Sequence, residues 1–119
     1  MKKLLCLCLI VFCLVGCSNS ADDEIVSYME AKEKIINEGA ILVDVRTKEE
    51  YDTNHIAGAS LLTLDSISEE SASKVIDSKN SVVIVYCKSG NRSSQALTIL
   101  KNLGYTEVYD LGAITNWKE

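Results

Sequence analysis

The stretch Ser81-Val82-Val83-Ile84-Val85-Tyr86-Cys87-Lys88-Ser89-Gly90-Asn91-Arg92-Ser93 decides how the chain is read. Its first half is an unbroken apolar run rich in β-branched residues, the pattern of a strand covered on both faces, and it stops directly at Cys87. Past Ser93, apolar residues at Ala96, Ile99, Leu100 and Leu103 share one helical face and Gly104 follows as a stop, which predicts a helix over 93–103. Upstream the same alternation recurs. Ser27-Tyr28-Met29-Glu30 is a capping box opening a helix that Gly39 ends, and Ala40 to Val45 is a second covered strand. Thr47-Lys48-Glu49-Glu50 is another capping box, His55 to Gly58 a turn, Ala59 to Leu64 a strand, and Ser68 to Ile76 a helix. Glu107 to Tyr109 supplies a last strand and Ile114 to Trp117 a final helical turn. Strands alternating with helices predict an α/β domain with a mainly parallel central sheet and helices on both faces.

The 119 residues leave room for one domain. Hydrophobic residues are 47% and charged residues 24%, which excludes intrinsic disorder and collagen-like or coiled-coil composition. A net charge of −5 argues against a nucleic-acid-binding surface. With no proline in the chain, every turn is made by Gly, Asn, Asp or Ser.

The first residues read as an address. Met1-Lys2-Lys3 is a charged start, Leu4 to Val15 is apolar throughout, and Gly16-Cys17 precedes polar Ser18-Asn19-Ser20. The run is shorter than the roughly 18 to 20 residues that span a bilayer. Leu14-Val15-Gly16-Cys17 resembles the bacterial lipoprotein signal, which implies residues 1–16 as a signal peptide and Cys17 as a lipidated new N-terminus. Residues 17–24 then form a polar tether and 25–119 the domain. The resemblance implies an exported protein held to a bacterial membrane through the lipid on Cys17. Cys6, Cys8 and Cys13 leave with the signal, so Cys87 remains the single free thiol. In an oxidising compartment such a thiol is either buried and inert or kept for its chemistry.

Cys87 stands where a parallel strand ends and a helix begins, the place where open α/β sheets gather ligands. Gly90 and Asn91 tolerate left-handed backbone angles, so Lys88-Ser89-Gly90-Asn91-Arg92-Ser93 can curl until its N–H groups face one point and hold an anion. The sulfur is the natural anion at that point. Amide donors, Lys88 and Arg92 favour thiolate over thiol, and thiols at helix N-termini beside cations fall from about 8.5 to about 3.5–7.5. An inert space-filling cysteine needs neither the charges nor the flexible loop.

The chain resembles the single-domain rhodanese family from about Ile25 to Trp117. The resemblance is carried by Leu42-Val43-Asp44-Val45-Arg46, Glu50-Tyr51, His55-Ile56-Ala57-Gly58-Ala59, Val85 to Ser93, Leu103-Gly104-Tyr105 and Val108-Tyr109. It implies a sulfurtransferase in which Cys87 takes sulfane sulfur from thiosulfate or a persulfide donor, holds it as a persulfide, and passes it to a thiol or cyanide-like acceptor. No metal or organic cofactor is implied, and the domain is expected to act as a monomer. Asp44 and Arg46 end a strand at the same sheet edge as Cys87 and are expected to orient the loop or pair with each other. His55, the sole histidine, belongs to the turn in this resemblance rather than to a Cys/His pair.

Two departures stand out. Ala57 replaces the family's turn proline, and Leu111-Gly112-Ala113-Ile114 is less glycine-rich than the usual segment beside the site. Two other functions compete. A cysteine phosphatase uses a similar cradle, but with arginine six positions after cysteine, where this chain has Ser93. A non-catalytic sulfur carrier, sensor or binding module shares the fold without turnover. A zinc site is short of ligands with one cysteine and one histidine in the domain.

Overall fold

The computed structural model describes residues 24–119. The expected signal peptide, Cys17 and nearly all of the expected tether lie outside the described residues. In chain order the elements are α1 Tyr28–Glu38, β1 Ile41–Asp44, α2 Lys48–Thr53, β2 Ser60–Leu61, a 3-10 turn Leu64–Ser66, α3 Glu69–Val75, β3 Val82–Cys87, α4 Asn91–Asn102, β4 Glu107–Ala113 and a 3-10 turn Ile114–Asn116. The four strands lie in the order β2-β1-β3-β4, all parallel. Strand alternation sorts β3 between two cores. Val83, Val85 and Cys87 face one layer with Ala72 of α3 and Ala96 and Leu100 of α4, while Ile84 and Tyr86 face the other with Ala31 of α1. The sheet is therefore covered on both faces, as the continuous apolar run requires.

Both sequence-read capping boxes are present, Ser27 with Glu30 and Thr47 with Glu50. Three boundaries differ from the reading, one of them the last strand, which runs past Tyr109 to Ala113. The strand expected over 59–64 is a ladder of two residues, Ser60 and Leu61, beyond which the chain stays on the end of β1 only through the Leu62 and Leu64 N–H groups, which donate to the Asp44 and Val45 carbonyls at 2.9 and 3.1 Å. The helix expected from Ser93 starts at Asn91, since Gly90 at φ +101° supplies the left-handed cap just before it. The polar loop after Cys87 is thus Lys88–Gly90 alone, and Asn91, Arg92 and Ser93 form the first turn of α4.

Two further features shape the sheet. Between β3 and β4 the register slips, Val85 facing Asp110 and Tyr86 facing Gly112, so Leu111 is an extra residue that bulges β4 beside Cys87. Ile25 forms a parallel bridge to Asp110, and the Val26 N–H donates to the Asp110 carbonyl at 3.0 Å, laying the N-terminal segment on the outer side of β4.

Candidate active site

From β1 the chain steps outward to β2 and then returns past β1 to β3, so the switch point of the sheet lies between the C-terminal ends of β1 and β3. Asp44 and Tyr86 are register partners there, and Cys87 is the last residue of β3. The Gly90 N–H donates to Cys87 Sγ at 3.0 Å and the Ser93 N–H at 3.3 Å. One donor comes from the loop and one from the first turn of α4, so the sulfur also sits at the positive end of a twelve-residue helix. Burial pushes the thiol up, but the Ser93 hydroxyl and the N–H groups of Ser93, Gly90 and Ser89 outweigh it, and the net direction is below the ordinary cysteine value.

The Ser93 hydroxyl donates to the Gly90 carbonyl at 3.1 Å, and it also lies within reach of the sulfur and of Asp110. Asp110 is buried with the Gly112 N–H donating to Oδ1 at 2.8 Å, and burial raises its carboxyl above the usual range. Cys87 has 0% exposure: apolar neighbours pack beneath it, and its own loop covers it. That cover is thin, since Lys88 and Ser89 are exposed.

The two flanking cations differ. Lys88 is absent from the ion pairs among the described residues. Arg92 is held by Glu50 in a two-pronged pair, Nη1 to Oε1 at 2.8 Å and Nη2 to Oε2 at 3.0 Å. Glu50 uses Oε1 a second time to accept from the Thr47 N–H at 3.0 Å, so one carboxylate caps α2 and anchors α4. The Arg92 guanidinium and then the Thr47 N–H hold the Glu50 carboxyl down at about 2. A cavity of about 290 Å³ opens at this crevice, walled in part by Val45, Arg46, Thr47, Leu64 and Arg92.

Asp44 and Arg46 pair with each other. Arg46 Nη2 donates to Asp44 Oδ2 at 2.7 Å, its Nε donates to both carboxylate oxygens, and Nη2 also reaches the Asn54 carbonyl at 2.6 Å. The buried pair thereby ties the end of β1 to the end of α2. His55 is exposed, stacked on Tyr51 with ring centroids 3.7 Å apart and Nδ1 2.8 Å from the Tyr51 carbonyl oxygen. Its neighbour Ile56 packs in the layer on the other side of the sheet from Cys87, which matches the turn role. Asn91 is not part of a left-handed loop; its Oδ1 accepts from Gln95 Nε2 along α4. Glu50 and Asp110 are the residues that the sequence reading did not attach to the site. Glu50 is read there as a helix cap and as part of the family resemblance, and no spacing rule links positions 50 and 92.

A cysteine held by converging amides at the switch point of a parallel α/β sheet defines the structural class. Residues 27–119 match the family described as rhodanese-like domain; the chain belongs to it and is a sulfurtransferase of the rhodanese type. Thiosulfate sulfurtransferase PspE of Escherichia coli (strain K12) is 42% identical over 72 residues, 60% of this chain and 68% of that protein. Thiosulfate sulfurtransferase GlpE of Coxiella burnetii is 33% identical over 94 residues, 78% of this chain and 85% of that protein. Among solved structures, a rhodanese with anions from E. coli aligns at a TM-score of 0.61 and 35% identity, covering 65% of this chain and 89% of that one. SSP1007 of Staphylococcus saprophyticus aligns at 0.65 and 29% identity, covering 79% and 92%.

Proposed function

We propose that the protein moves sulfane sulfur from thiosulfate or a persulfide donor to a thiophilic acceptor through a persulfide on Cys87. The observation that carries this reading is the convergence of the Gly90 and Ser93 N–H groups on Sγ. In the first half-reaction the Cys87 thiolate attacks the outer sulfur of thiosulfate. The new S–S bond forms as the old one breaks, and sulfite departs with the bonding pair. In the second, an acceptor thiolate or cyanide attacks the terminal sulfur of the persulfide, and Cys87 leaves as thiolate. The thiolate carries its negative charge on Sγ and the persulfide on the outer sulfur one bond further out, both within the same loop, so one set of amides serves the whole cycle.

Lys88 draws the donor anion to the loop. The donor approaches from the side of the loop, where Lys88 and Ser89 are exposed over the buried sulfur. The protein carries out this chemistry as a single-copy domain outside the cytoplasm, anchored to a bacterial membrane by lipid on Cys17. Intact mass after thiosulfate treatment tests the reaction. Gain of one sulfur atom by the wild type, absent in Cys87→Ser, is the expected result. An unchanged mass with a folded protein overturns it in favour of a module that does not turn over.

A further inference from the structure

The loop sequence offers two cations, Lys88 and Arg92, to an incoming anion, but the folded chain spends one of them internally. Both guanidinium prongs of Arg92 meet the Glu50 carboxylate across the crevice between the α2 and α4 starts. Arg92 also lines the cavity at that crevice, it directly precedes Ser93, whose N–H reaches Sγ, and the Cys87 sulfur is among the groups that raise its guanidinium value. We infer that the Glu50–Arg92 pair selects the donor by charge: Glu50 cancels the Arg92 charge beside Cys87 and so lowers the advantage of a dianionic sulfane donor over a monoanionic one. This rests on the Cys87 reading above.

Several features make Glu50 suited to that role. Its side chain and that of Arg92 are 29% and 30% exposed, so the pair lies at the mouth of the site rather than deep in the core. Its carboxyl is held at about 2, so it stays ionised wherever the enzyme works and its effect does not switch with pH. The second hydrogen bond to the Thr47 N–H holds the carboxylate in place even while Arg92 shifts toward a bound anion. Glu50 acts through charge and through Arg92, and so is a positioning residue.

The test compares thiosulfate, a dianion, with methanethiosulfonate, a monoanion that also carries a sulfane sulfur and releases a sulfinate. Glu50→Gln keeps a side chain able to cap Thr47 but removes the charge. It is expected to lower the KM for thiosulfate about fivefold relative to methanethiosulfonate at low salt, the size expected of one unit charge near a site on the protein surface. Arg92→Gln leaves Glu50 unopposed and is expected to move the same ratio about as far in the other direction. The double variant restores a neutral pair and the wild-type ratio. If the pair merely pins the loop, both single variants impair both donors in the same sense, and that result overturns the inference. Persulfide mass on wild-type Cys87 separates the two readings. No loading from either donor removes the Cys87 mechanism together with the selector, whereas loading with an unmoved ratio removes the selector alone.

Discussion

Two opposed influences meet on the sulfur of Cys87: burial favours the neutral thiol, while the Ser93 hydroxyl and three backbone amides favour the thiolate and prevail. A thiol whose folded value lies below its unfolded one adds stability that is complete above the ordinary cysteine range and is lost as pH falls through the folded value. Sulfur loading should fade over that same descent. Ser93→Ala removes a hydroxyl that favours the thiolate, so the ultraviolet absorbance of the thiolate is expected to titrate at higher pH than in the wild type, with Cys87→Ser as the blank. A midpoint unmoved by the alanine would assign the ionisation to the amides alone. The residue that matters was legible in the sequence, because a lone thiol beside a glycine and two cations is a local pattern. The partner of Arg92 was not, because Glu50 lies 42 positions away and its capping duty explained it already.

At the scale of elements, the β1 end is held by a buried ion pair, Asp44 at 0% and Arg46 at 4% exposure. Asp44→Ala would leave the Arg46 guanidinium buried with only a carbonyl partner, and a loss of about 3–5 kcal/mol is expected, read from the urea midpoint. A loss under about 1 kcal/mol would mean that water replaces the carboxylate. Helix starts marked by Ser27 and Thr47 were readable because a capping box is complete within four residues. The start of α4 was misread by two residues since Gly90 caps through its backbone angle, and a side-chain rule looks for serine. The length of β2 and the bulge at Leu111 depend on what the neighbouring strand does, which no window of local sequence contains.

For the whole molecule, the alternation of strands and helices was sufficient for the class of fold, because covered parallel strands need helical crossovers on both faces, whereas the order β2-β1-β3-β4, which sets the switch point beside the cysteine, lies in contacts that local sequence does not contain. The proposed tethering belongs to the same scale. Cys17→Ser in cells is expected to move the protein from the membrane fraction to the soluble exported fraction and to abolish incorporation of labelled fatty acid. Retention at the membrane would point to a different anchor.

The segment at Ile25 and Val26 bears on handling of the protein as well as on its fold. It pairs with the outer edge of β4 at Asp110, one point of a seven-residue strand, while the opposite edge of the sheet is blunted by the brevity of β2. Trimming the polypeptide to begin at Ser27 spares every atom around the sulfur but removes buried Val26 from the core and opens the β4 edge at Asp110, so the shortened protein is expected to lose stability and to scatter more light on standing, while the molecules still folded load sulfur as before.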